Sequence, residues 1–422
     1  MRRPRPESGA HRGLPVRLQS WRAYAAGSGL SLALCGAALG DTLSSESSVG
    51  LSSGYNSNPF LQPSGAKAAE SLAVLANLPA TYTSDTQSLE LEPRVRFAET
   101  HGAQALLSDY QYLDGVWRVN SERNTFTASA DWHHDSTFYN AFENAALLGR
   151  NLRRQEDIAN LDWQRELTER SDLHLSGSWD KVNYSENSGT GVQSFSYGQA
   201  LVQFDHALNE RWKWTNTVGV GRYELIGQRY RSDDRFVQTA LTRALSERWS
   251  LTAQVGYSYL STSGQGYICC KALLGPNGYF LQPIPVTRSQ SRGSGSYALT
   301  IERRTERLVM NLAISRAIQP SGLGALLTQD DVSLKASIPW TERLTLAATL
   351  HGSRISDPLH QLALDGQRYA DVDLSANWLW TEHWTLQLQG TYLVRRLISA
   401  GPTASSTSVY LNLLRQFGRI RL

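Results

Sequence analysis

The sequence predicts an all-β protein, a transmembrane antiparallel β-barrel of about eighteen strands (sixteen to eighteen) with short periplasmic turns and long extracellular loops. Three observations lead there. A turn motif of a small residue, Glu and a base recurs along the chain. Each copy is followed by a hydrophobic alternation of period two, and tryptophans gather beside the copies.

The N-terminus comes first. Arg2, Arg3, Arg5, Arg12, Arg17 and Arg22 precede a mostly apolar run from Ala25 to Leu39, and Ala38-Leu39-Gly40 offers small residues to a signal peptidase. Residues 1–40 therefore read as a signal peptide and 41–422 as the barrel. The run is too short and too rich in small residues for a permanent membrane helix. Leu34 before Cys35 fits a lipobox poorly, and Arg2-Arg3 stands too far from the run for twin-arginine export.

Bulk properties exclude several classes. A net charge of +3 over 422 residues is too small to suggest a nucleic-acid binder. Of the three cysteines, Cys269 and Cys270 are adjacent, so they cannot staple distant parts of a fold. A strained vicinal disulfide, pairing between chains and free or oxidised loop thiols all remain open for that pair. After Gly40 no apolar run is long enough for a spanning helix.

Strands follow from parity. In "WSLTAQVGYSY" Trp249, Leu251, Ala253, Val255, Tyr257 and Tyr259 alternate with Ser250, Thr252, Gln254, Gly256 and Ser258. Successive side chains of a strand point to opposite faces, so one face is apolar and the other small and polar. "YADVDLSANWLW" (Tyr369–Trp380) and "WTLQLQGTYLV" (Trp384–Val394) repeat the pattern.

The motif counts the hairpins. Its glutamates are Glu169, Glu210, Glu247, Glu306, Glu342 and Glu382, spaced 41, 37, 59, 36 and 40 residues apart. Counting back at similar intervals reaches Glu99 and Asp135. Two strands of about ten residues, a tight turn and a longer loop fill one period. Eight turns imply nine hairpins, from a first strand near Ser47–Tyr55 to a last near Ser406–Phe417. The interval of 59 is assigned to a long loop, Ser261–Ser291, and "FENAALL" at Phe142–Leu148 has helical character. Long polar connections are expected at Asn56–Ser84, Ser185–Gly191, Glu224–Asp234, Ile355–Gln367 and Leu397–Ser405. A β-propeller shares a period near forty, but each half-period here is one alternating run, too long for two blade strands.

Trp132, Trp163, Trp212, Trp214, Trp249, Trp340, Trp378, Trp380 and Trp384 lie near motif turns and predict an aromatic girdle at the periplasmic boundary.

The first strand reads "SSVGLSSGYNSNPFLQPSG". With Gly54, Tyr55, Asn56, Asn58 and Phe60 it resembles the outer-membrane β-barrel porins encoded beside exopolysaccharide-biosynthesis genes. The resemblance implies a location in the bacterial cell outer membrane and passage for an exported polysaccharide, or a non-conducting role in assembling a polysaccharide-export complex. Periplasmic export proteins and outer-membrane lipid would be its partners. A general or sugar-selective diffusion porin is the alternative. Outer-membrane barrels usually end in an aromatic residue, whereas this sequence ends in Leu422, with Phe417 the nearest aromatic.

Site candidates come from parity. Glu90, Glu92, Arg94, Arg96, Asp109, Asp131, Asp162, Asp180, Asp205, Lys213, Glu302, Lys335, Asp371 and Asp373 are expected to line a water-filled lumen. Arg150, Arg153, Arg154, Arg229, Arg231, Arg235, Arg288, Arg292, Arg395 and Arg396 are expected at the outer rim, attracting an anionic glycan or lipopolysaccharide phosphates, or bridging loop bases. "GAKAAESLAVLANL", with Leu72, Leu75 and Leu78 at helical spacing, suggests a helix folded into the pore. No enzyme is expected. His174–Ser176 and His351–Ser353 could pair a base with a hydroxyl, as a lipid hydrolase would need, yet neither has a third partner. His133–Asp135 fits a turn better than a metal site, and no cofactor or nucleic acid is expected.

Overall fold

The computed structural model describes residues 42–102, 108–137, 152–185, 192–275, 278–359, 367–396, 402–418 and 420–421, with backbone alone for 265–275, 278–288 and 420–421. Residues 1–40, expected to be a signal peptide, Phe142–Leu148 and Leu422 lie outside these residues. The chain forms β1 (Thr42–Ser45), β2 (Ser48–Asn56), β3 (Ala69–Asn77), β4 (Ala80–Thr83), β5 (Gln87–Gly102), β6 (Tyr110–Asn120) and β7 (Asn124–Ser136). It continues with β8 (Arg153–Thr168), β9 (Ser171–Tyr184), β10 (Phe195–Asn209), β11 (Trp212–Leu225), β12 (Arg229–Ser246), β13 (Trp249–Gly275) and β14 (Gly278–Thr305). Last come β15 (Leu308–Ser321), β16 (Ala325–Pro339), β17 (Leu344–Ser356), β18 (Gln367–Thr381), β19 (Trp384–Arg396), β20 (Thr403–Gln416) and β21 (Ile420–Arg421).

All neighbours pair antiparallel, and β2 pairs with both β3 and β20, which closes the sheet. Three wall strands are interrupted. β1 lies between β4 and β21 as β2 lies between β3 and β20, so β1–β2, β3–β4 and β20–β21 are each one broken strand. At the second break Pro79 offers no N–H, and Leu78 N donates to Pro93 O at 3.0 Å. Twenty-one segments less three breaks leave a closed barrel of eighteen strands.

Six motif glutamates occupy tight turns, and the residue before each explains the motif. Ser246 Oγ accepts the N–H of Arg248 (3.3 Å), Thr341 Oγ1 those of Arg343 and Leu344 (3.2 and 3.0 Å), and Asn209 Oδ1 those of Arg211 and Trp212 (2.9 and 3.1 Å). A short polar side chain thus satisfies the donors that a turn leaves free. Glu99 and Asp135 are different. They lie in β5 and β7 near the opposite end, and the turns on the motif side are 84–86 and 121–123. The latter, Ser121-Glu122-Arg123, carries the full motif. A fixed interval missed it because the connection from β7 to β8 is long, placing Glu122 and Glu169 47 residues apart.

At the other end two expected loops are strand instead. Ala69–Asn77 is β3, bonded to β2 on one side and β5 on the other, so no helix folds inward from it. Its alternation has period two, with Ala69 and Ala73 buried and Leu72 63 % exposed. The leucine spacing of three is incidental, because pairing on both edges satisfies the backbone. The 59-residue interval holds a long hairpin, β13 with β14, paired to Gly275↔Gly278. Of Glu224–Asp234 only Ile226–Gln228 is a turn.

Leu161 (55 % exposed), Val255 (61 %) and Leu374 (57 %) point outward from the sheet. A closed sheet whose outer face is an apolar band satisfies its backbone without water, as a bilayer demands, and places the protein in the bacterial outer membrane. Leu161→Arg is accordingly expected to cost about 2–4 kcal/mol in urea titrations of the barrel in lipid vesicles. Ser176→Arg, facing the lumen, should stay near neutral; equal losses would remove the lipid-facing assignment.

Trp163, Trp212, Trp214, Trp249, Trp340, Trp378, Trp380 and Trp384 stand at the short-turn end. Arginines of adjacent strands cover three of them, with Arg243 over Trp212 (4.8 Å), Arg303 over Trp249 (5.3 Å) and Arg415 over Trp384 (5.8 Å). Trp132 does not belong to this girdle. It lies toward the far end of β7, stacked on His134, because Asp135 is no turn. Trp117, packed edge-on against Phe126, takes a place at the short-turn level.

Candidate functional site

Parity and register put Glu90, Glu92, Arg94, Arg96, Asp131, Asp162, Asp180, Asp205, Lys213, Glu302, Lys335, Asp371 and Asp373 on the face opposite the apolar band. Asp109 differs. It precedes β6 and pairs with Arg153 at 2.7 Å, and the inward acid of β6 is Asp114. The alternation Tyr110, Tyr112, Asp114 against Leu113 and Trp117 carried that signal.

Most inward charges already have partners. Arg94 is paired with Asp114, and His133 bridges Asp114 (2.7 Å) and Glu156 (3.2 Å). Asp205 meets Lys213 (2.8 Å), Thr215 (2.6 Å) and His174 (3.3 Å). Both ring nitrogens of His351 face carboxylates, Asp331 at 3.4 Å and Asp371 at 3.1 Å, which leaves none to take a proton from Ser353. Among the described residues no group of acids, His and Cys could hold a metal.

The outer-rim arginines do not form a free basic ring. Arg154 is only 3 % exposed and inward, held by Asp135 and Glu156. Arg395 is buried and donates to Leu61 O at 3.4 Å. Arg153 pairs with Asp109, and Arg231 with Asp233 at 2.7 Å. Arg229, Arg235, Arg292 and Arg396 are exposed. Arg150 and the side chains of Arg288, Cys269 and Cys270 lie outside the described residues.

The outer mouth departs from the alternation of the wall. β15 pairs with β14 only up to Arg316↔Tyr297, and β16 with β17 only up to Thr328↔Ser356, while β15 and β16 stay paired to Ser321↔Ala325. Ser321 to Thr328 are buried without interruption. A hairpin tip buried on both faces has left the wall for the interior. There Ser321 O accepts from Tyr223 Oη (2.7 Å) and Gly322 O from Gln193 N (2.7 Å). Gly322 is required, since a Cβ would lie 2.6 Å from Tyr184 Oη. Leu323, Leu326 and Leu327 join one apolar cluster with Phe195 and Leu260 on one side and Leu61, Tyr369 and Leu393 on the other, so it crosses the lumen.

Below the tip, β10 to β14 line a cavity of about 330 Å³. Gln199, Gln203, Gln238, Gln254, Ser258 and Ser296 give it amides and hydroxyls, and Phe236 gives it an aromatic face. Gly219 makes room for that ring, which would stand 2.3 Å from a Cβ there. Gln254 donates to Gln238 at 2.7 Å, whereas buried Asp234 Oδ1 and Ser296 Oγ have no partner among the described residues.

No protein-family model and no curated protein matches the chain. Among solved structures it is similar to Pseudomonas aeruginosa OccK5 (OpdH), with 11 % identity over 89 % of this chain and 98 % of that chain and a TM-score of 0.46. It is also similar to Pseudomonas aeruginosa OccK11 (OpdR), with 12 % identity over 89 % and 96 % and a TM-score of 0.45. The ferric-catecholate import receptor Fiu from E. coli K12 shows 9 % identity over 88 % and 81 % and a TM-score of 0.44.

Proposed function

We propose that this barrel is a passive outer-membrane channel for small hydroxyl-bearing solutes of the sugar class, selected at the outer mouth. The amide-and-hydroxyl cavity beneath the inward hairpin carries this reading. Amides both donate and accept toward vicinal hydroxyls, an aromatic ring covers a C–H face, and unpartnered Asp234 Oδ1 accepts a hydroxyl proton. The purified barrel should conduct in planar bilayers, and maltotriose should block the current more than a polyethylene glycol of equal size does. Equal block by both would sink the sugar preference, and silence in bilayers would sink the channel.

A second reading, passage or assembly of an exopolysaccharide, rests on the first-strand motif. Asn58, from that motif, accepts from Gln62 N (2.9 Å) and donates to Ser405 O (3.0 Å). It thereby pins the loop that brings Leu61 into the mouth cluster. A polymer could pass only with this cluster parted by a periplasmic partner acting on the barrel. Deleting the gene and assaying secreted glycan decides it; normal glycan would end this reading.

A further inference from the structure

Across β15 to β19 the outward side chains end on a single row. Register sets Arg316 opposite Asp330, Asp330 opposite Arg354, Arg354 opposite Arg368, and Arg368 opposite Arg396. Just below it, toward the short turns, the outer face is apolar, with Val332, Leu350, Leu374 and Tyr392 exposed. The row therefore stands where the apolar band stops on the extracellular side, at the depth of the lipid headgroups.

Such a row is unfavourable by itself. Side chains directly opposite on neighbouring strands lie about 5 Å apart, and like charges so placed repel. Four guanidinium groups share one carboxylate, and the ion pair within the row is Arg316 with Asp330 at 3.6 Å. Arg354, Arg368 and Arg396 are exposed and have no ion-pair partner among the described residues. A wall strand facing lipid gains nothing from three adjacent unneutralised charges unless an anion sits across them. Guanidinium groups bind phosphate in a bidentate fashion, and three in line suit a ligand that carries more than one phosphate.

We propose that the Arg354–Arg368–Arg396 row binds the phosphates of the outer-leaflet glycolipid and so fixes this side of the barrel against its lipid. Asp330 limits the site at one end and orients Arg316. The inference requires that the barrel lie in the outer membrane, not that it conduct.

Full-length barrel in neutral detergent would be titrated with diphosphoryl lipid A, with its dephosphorylated form, and with inorganic phosphate. Diphosphoryl lipid A should bind saturably, and the triple variant R354A/R368A/R396A should bind about tenfold more weakly or worse. Arg235→Ala, at the rim but outside the row, should bind as the parent does. Unchanged binding by the triple variant overturns the proposal, as does an equal loss in Arg235→Ala or equal affinity for inorganic phosphate. A stability measurement supplies a sign that a merely structural arginine would not give. Arg368→Ala should raise the urea midpoint in phosphatidylcholine vesicles, where repulsion is relieved, and lower it once diphosphoryl lipid A is present. A lowering in both membranes also overturns the proposal.

Discussion

Replacing residues 318–328 with Asn-Gly is expected to raise single-channel conductance several-fold. The replacement keeps Ala317 opposite Gln329, the last pair before the tip, and joins them through a two-residue turn suited to a hairpin. It leaves every wall pairing of β15 with β14 and all but the terminal pairing of β16 with β17, so the barrel itself should persist. What goes is the eight-residue buried stretch and with it the centre of the apolar cluster. Ions then no longer meet a dry layer near the mouth, and bare apolar constrictions oppose ions by dewetting. The check is a planar-bilayer recording on protein that still shows heat-modifiable gel mobility. Unchanged conductance would mean that the narrowest point lies elsewhere.

The wall of this barrel was legible because two local signals repeat. Period-two alternation reports a sheet with one apolar face, and the Ser, Thr or Asn before each motif Glu is the residue that caps the turn. The same rule marks Ser121-Glu122-Arg123, where the capping serine is present although the interval differs. The mouth was less legible, since the hairpin's departure from the wall depends on where pairing with β14 and β17 stops. One sign was present in sequence: Leu323, Ala325, Leu326 and Leu327 break the alternation and make both faces apolar, as in a strand buried on both sides. The arginine row had no such sign. Arg316, Arg354, Arg368 and Arg396 are far apart in the chain, and only the register of five strands aligns them.

Arg154→Ala is expected to destabilise the barrel by about 3–5 kcal/mol, the range found when one partner of a buried ion pair is removed. Its guanidinium reaches Asp135 with two bonds, Nε at 3.0 Å and Nη2 at 3.1 Å, and Glu156 through Nη2 at 3.0 Å. Asp135 is fully buried, with Tyr112 Oη donating to it at 2.8 Å, so it cannot turn to water when the arginine leaves. Beyond it the pairing runs from Glu156 through His133 and Asp114 to Arg94, with the Tyr112 ring beneath both His133 and Arg94. Removing Arg154 thus exposes two carboxylates to each other's repulsion within one wall of β5 to β8. The double variant R154M/D135L separates the loss of the ion pair from the orphaned charge, because it removes both partners and keeps apolar volume. It should recover most of the loss, since burying a pair gains little over apolar packing. Urea midpoints of refolded barrels in lipid vesicles read both effects. A loss below about 1 kcal/mol for Arg154→Ala would show that water reaches Asp135 at this end of the lumen.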